Sequence, residues 1–81
     1  MLSYDAFMDI EEKRKRLGRN IQVCRKGNRL TQEQFALMVG MDRGCLLGIE
    51  AGKFNVSFDK LSRIAEGLNV TMAELLDGVD R

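Results

Sequence analysis

Residues 32–51, QEQFALMVGMDRGCLLGIEA, constrain this chain more than any other stretch, because they read as two short helices meeting at a sharp corner. Thr31 can cap the first helix through its hydroxyl, and Gln34 stands three residues on, the spacing of a capping box. Phe35, Ala36 and Val39 then fall on one helical face. Gly40 follows where a chain leaving a helix often needs a left-handed residue, and Met41 is apolar enough to plug the corner. Asp42 is suited to cap a second helix, in which Leu46 and Ile49 point inward and Gly52 marks the end.

The surrounding chain offers a small helical scaffold. Its 81 residues make one domain, 1–81, with no proline and no alternation long enough for a strand, so an all-α, compact five-helix bundle is expected. No apolar run approaches the ~20 residues that span a bilayer, and the N-terminus lacks the apolar core of a secretory signal; a cytoplasmic protein follows as the expectation. With two cysteines, Cys24 and Cys45, and no histidine, neither a metal site nor a cofactor is expected. Cys24 reads as a small core residue and Cys45 as a partly buried reduced thiol in the first turn of the second helix. No serine or cysteine has a partner base and no glycine-rich phosphate loop appears, which argues against catalysis.

Asp9 with Glu12 caps a first helix, along which Ile10, Leu17, Ile21 and Cys24 form a stripe. Lys13, Arg14, Lys15, Arg16 and Arg19 lie mostly off it, as a solvated face or, alternatively, a phosphate contact. Lys26 to Arg29 ends this helix, with Gly27 and Asn28 the residues tolerant of positive φ. Leu30 can staple forward onto Phe35. After a loop at 52–56, Ser57 caps a helix whose inward residues are Leu61, Ile64, Ala65 and Leu68, and Asn69 stops it. Thr71 with Glu74 opens a last helix, with Val70, Leu75 and Leu76 as its apolar members, before residues 77–81 trail off as a polar tail. Residues 1–8 read as a lead-in or as a turn packing Phe7. Net charge is only +1, but residues 1–30 carry +4, residues 31–56 carry −1 and residues 57–81 carry −2. One side can therefore meet phosphate while the acidic end faces elsewhere.

Residues 32–51 resemble a DNA-binding helix-turn-helix. Ala36 holds the motif's small fifth position, Gly40 its ninth, and Phe35, Val39, Met41, Leu46 and Ile49 its five apolar places. Over about residues 17–76 the chain further resembles the Cro and lambda-repressor type of domain, also called the xenobiotic-response-element family. The carriers are Leu17-Gly18, Ile21, Arg25, Leu30 to Ala36, Gly40, Ile49 to Lys53, Asn55, Ser57 and Ile64 to Val70. The resemblance implies a five-helix bundle that binds double-stranded DNA as a symmetric homodimer, with Asp42 to Ala51 in the major groove.

That resemblance assigns roles. Gln32 at a helix start, Lys53 and Asn55 would hold phosphates, with Asn55 alternatively bonding its own loop. Arg29 could reach the backbone too but reads better as solvated. Bases would be read by Arg43, Gly44, Leu47 and Gly48. Here the chain departs from the family's amide-rich pattern, with two glycines and a leucine, and each glycine costs a helix about 1 kcal/mol relative to alanine. The glycines would permit a deeper fit or leave specificity to DNA deformability. Arg43 is able to grip guanine or a phosphate, and Leu47 can touch a thymine methyl or simply stand exposed. Arg25 and Glu50 would form a structural ion pair, and Met72, Leu75, Leu76 and Val79 would be shared between the core and a dimer interface. Without a second domain, no small-molecule effector is expected. The reading is an autoregulatory transcription regulator: a phage-type repressor, an antitoxin, or a restriction–modification controller, which Asp42-Arg43 with Gly48-Ile49-Glu50 resembles. The alternative is a protein-interaction module on the same scaffold, favoured by the weak net charge and the outward Leu37, Met38 and Leu47.

Overall fold

The computed structural model describes residues 8–80; the readings made for residues 1–7 lie outside them. Five helices follow in order: α1 (Ile10–Gly27), α2 (Gln32–Met38), α3 (Arg43–Glu50), α4 (Phe58–Leu68) and α5 (Met72–Leu75). Each begins the same way. Asp9, Thr31, Asp42, Ser57 and Thr71 hold extended backbone and accept, through a side-chain oxygen, the N–H three residues on. At Thr31 and Thr71 the third residue, Gln34 or Glu74, returns a bond to the cap's own N–H.

Four of the helices also end alike. A left-handed residue sends its N–H back three positions and its successor's N–H back five, the closure that satisfies the last carbonyls. The residues are Arg29, Gly40, Gly52 and Asn69, with φ of 59°, 63°, 75° and 58°. The first of these corrects the sequence reading, which placed the freedom at Gly27 and Asn28. Asn28 instead keeps φ at −90° and folds its amide onto the Cys24 carbonyl, so the sharp turn falls on Arg29. After three of the four turns the next residue is apolar and packs on the core: Leu30, Met41 and Val70. After α3 it is Lys53, which stays exposed.

Phe35, Ile21, Leu46, Ile49, Ile64 and Leu75 are the largest fully buried side chains, drawn from all five helices. Leu75 therefore belongs to the core and not to a dimer interface: α5 is a single turn, and this is the residue with which it closes the bundle. Ile10 is 58% exposed and drops out of the α1 stripe, since it opens the helix beyond the reach of the bundle. Gly18 lets α1 meet the end of α3, because a Cβ there would strike the carbonyl oxygens of Ile49 and Glu50. The segment after α5 does not trail away. Asn20 Nδ2 donates to the carbonyls of Leu75 at 2.8 Å and Asp77 at 2.9 Å, and Val79 packs on the core. Among the described residues no helix is long and apolar enough to cross a membrane.

Candidate nucleic-acid interface

α2 and α3 are set by a buried polar knot. Arg25 Nε and Nη2 donate to Glu50 Oε2 and Oε1 at 2.7 and 3.0 Å, with the two side chains 6% and 3% exposed. Arg25 Nη1 also donates to the Leu30 carbonyl at 2.7 Å, and Gln32 Nε2 donates to Glu50 Oε1 at 3.1 Å. The Glu50 carboxylate thus joins α1, the first turn of α2 and the last turn of α3, while Arg25 ties in the α1–α2 turn. A buried charge needs such partners to be tolerated, and two-point arginine contacts fix orientation as well as distance. Gln32, half-buried, thus spends one amide N–H on Glu50 and keeps the second.

With its inner side so anchored, α3 turns its other side outward. Gly44, Leu47, Gly48 and Ala51 share a face by their spacing of three and four. Gly44 is open, Leu47 is 39% exposed and Ala51 is exposed. Gly48 is not: it lies buried under the Phe54 ring, which occupies the space a Cβ would need. The expectation that Gly48 faces a base directly is therefore corrected. Phe54 itself remains 49% exposed.

Cations flank this face. Arg43 stands at the start of α3, 3.8 Å from Glu33 of α2, with both side chains largely in water. Lys53 is exposed just past its end. Asn55 turns its Oδ1 not to its own loop backbone but to α1, accepting Arg14 Nε at 3.1 Å and Nη2 at 2.6 Å. The basic run of α1 is thereby carried to the loop after α3, and a Cβ on Gly52 would meet Lys15. The sequence reading set Arg14 with the solvated cations off the stripe; its position three before Leu17 and seven before Ile21 was the signal that it faces the bundle. Phe54 over Gly48 had no such signal. Cys45 turns towards α4, where Lys60 Nζ approaches its sulfur at 3.4 Å. Among the described residues no group of histidine, cysteine or carboxylate side chains is arranged to hold a metal.

The HTH_3 helix-turn-helix family matches residues 21–75, the span from mid-α1 to the end of α5. The chain belongs to this family. Among its relatives, the control protein C.MunI of a Mycoplasma species is 37% identical over 67 residues, covering 82% of this chain and 90% of that protein. The control protein C.SmaI of Serratia marcescens is 36% identical over 70 residues, covering 86% and 80% respectively. The structure of the restriction-modification controller protein C.AhdI from Aeromonas hydrophila superposes with a TM-score of 0.74 at 31% identity, over 75% of this chain and 92% of that one. This HTH_3 protein is a DNA-binding regulator of transcription and not an enzyme.

Proposed function

We propose that this HTH_3 protein is a controller of the restriction–modification type, a homodimer that binds a pseudo-palindromic operator and regulates its own gene from the cytoplasm. The observation that carries the reading is the outer face of α3, left uncovered by the described helices, overlain only at Gly48 by the half-exposed Phe54, and fixed from behind by the Arg25–Glu50–Gln32 knot. A helix held rigidly and left uncovered is what the major groove accepts. Arg43 is suited to a two-point contact with guanine, Leu47 to apolar contact, and Lys53 to phosphate. Asn55 can still donate through Nδ2, and Arg14 beside it joins the phosphate set. Exposed or partly buried apolar side chains at Met72, Leu76 and Val79 supply the proposed two-fold contact. One short α3 would select its site weakly, and two copies about one DNA turn apart double the contacts.

The test is mapping of a protected site upstream of the protein's own gene, followed by salt titration. Affinity for that site should fall with a log–log slope of about −0.9 per phosphate neutralised. Lys53→Ala should weaken all duplexes alike, whereas Arg43→Ala should lose discrimination at one base pair, by about 1–3 kcal/mol. The exposed Leu37 and Met38 of α2, at 83% and 56%, favour a second reading as a protein-interaction module. A hydrophobic partner would bind with little dependence on salt, and that result would displace the DNA reading.

A further inference from the structure

The outer side of α3 lacks hydrogen-bonding side chains beyond Arg43. Gly44, Leu47 and Ala51 carry none, and the position of Gly48 is filled by a ring from six residues later. Three of the four equivalent helix ends pack a partly buried apolar residue against the core immediately after the left-handed turn. The α3 end places Lys53 in water there, and its aromatic residue, Phe54, folds back over α3 instead of entering the core. Phe54 is left 49% exposed, next in sequence to a lysine suited to phosphate. Burying an aromatic ring is strongly favourable, so a ring seated on a glycine yet left half-wet is one whose remaining surface suits a partner.

We infer that Phe54, seated on Gly48, acts as a borrowed side chain of the recognition helix and reads the C5-methyl groups of thymine. The inference rests on α3 lying in the major groove, as proposed above. In that groove thymine alone presents a methyl group, and an apolar surface without donors or acceptors discriminates by that group. Gly48 is a positioning residue: it makes the seat and touches no base. Leu47, at 39% exposure on the same face, extends the apolar surface, while Arg43 and Lys53 at its two ends hold the register.

The experiment uses the full chain and duplexes that it selects from a random-sequence pool, each synthesised once with thymidine and once with deoxyuridine. Wild type should prefer the thymine duplex by about fourfold for each methyl it covers. Phe54→Ala should bring the thymine-to-uracil ratio close to one, and Phe54→Leu should restore part of it. Gly48→Ala keeps the ring but fills its seat, so it should lower the ratio as Phe54→Ala does. Thermal melts accompany each variant. A purely structural ring would lower the melting temperature and weaken both duplexes equally, leaving the ratio at its wild-type value, which overturns the inference. Equal wild-type affinity for the two duplexes overturns it as well, while leaving DNA binding intact. Loss of self-association in Phe54→Ala with an unchanged ratio would assign the ring to a protein contact and overturn it too. Enrichment of no duplex at all would sink the DNA reading and this inference with it.

Discussion

Glu50 receives three side-chain hydrogen bonds in a setting that leaves it 3% exposed, and nothing near it in sequence supplies them. Removing the carboxylate strands the Arg25 guanidinium, itself 6% exposed, without its counter-charge. Glu50→Ala should therefore cost about 3–5 kcal/mol, seen as a drop in the urea midpoint. Gln32→Ala removes one bond to a charged acceptor and should cost about 1.5 kcal/mol. An Arg25/Glu50 double-mutant cycle would separate the pair's coupling from the cost of isolating either partner. Should Glu50→Ala melt like wild type, the knot does not hold α3 and the proposed rigid presentation of its outer face loses its support. The Arg25–Glu50 contact was expected from the family pattern. The inward turn of Gln32 was not, because spacing along a helix gives neighbours three and four residues away and says nothing of a carboxylate eighteen residues on.

The helix ends show where legibility stops. Caps at Thr31, Asp42, Ser57 and Thr71 and the stop at Asn69 are decided within three residues, and the sequence alone located them. The turn at Arg29 was misplaced because Gly27 and Asn28 look more suitable, while the Asn28 amide bond to Cys24 that shifts the corner is a feature of the folded turn. A left-handed conformation costs an ordinary residue about 1–2 kcal/mol, and glycine's extra freedom in the unfolded chain returns roughly 0.5–1 of that. Arg29→Gly should thus stabilise by about 0.5 kcal/mol, a shift of a few degrees in the melting temperature. The α1–α3 crossing predicts the opposite sign at Gly18. A methyl there would meet the backbone carbonyls of Ile49 and Glu50, which cannot rotate away as a side chain could. Gly18→Ala should cost about 1–3 kcal/mol and, by displacing the end of α3, weaken operator binding beyond its effect on stability. Phe54 over Gly48 escaped the sequence reading for a related reason: the two are joined by a turn, and neither period nor cap signals that the later residue comes back.

At the scale of the molecule, α5 divides its apolar residues between two uses. Leu75 is fully buried and Leu76, its neighbour, is 39% exposed, so the proposed two-fold face has to be tested at Leu76. Leu75→Ala would unpack the core and confound assembly with folding. Leu76→Arg leaves the core alone; as a surface change it should alter stability by no more than about 0.5 kcal/mol. In a symmetric contact the same substitution appears on both copies, and two arginines brought together repel as well as displace apolar area. Sedimentation should then report a monomer at concentrations where wild type is a dimer. In the proposed complex each protomer would bring its own phosphate contacts through Lys53, Asn55 and Arg14, so the monomer's salt slope on the full operator should be about half that of wild type. Halving follows only if dimerisation is what couples the two half-sites. A Leu76→Arg variant that is monomeric yet keeps the full slope would mean that the copies assemble on DNA through another surface. One that stays dimeric would move the two-fold axis away from α5 altogether. The charge pattern limits where it could then go: with the proposed reading face in residues 31–56, the acidic stretch 57–81 is the side on which a second copy can sit without competing with phosphate.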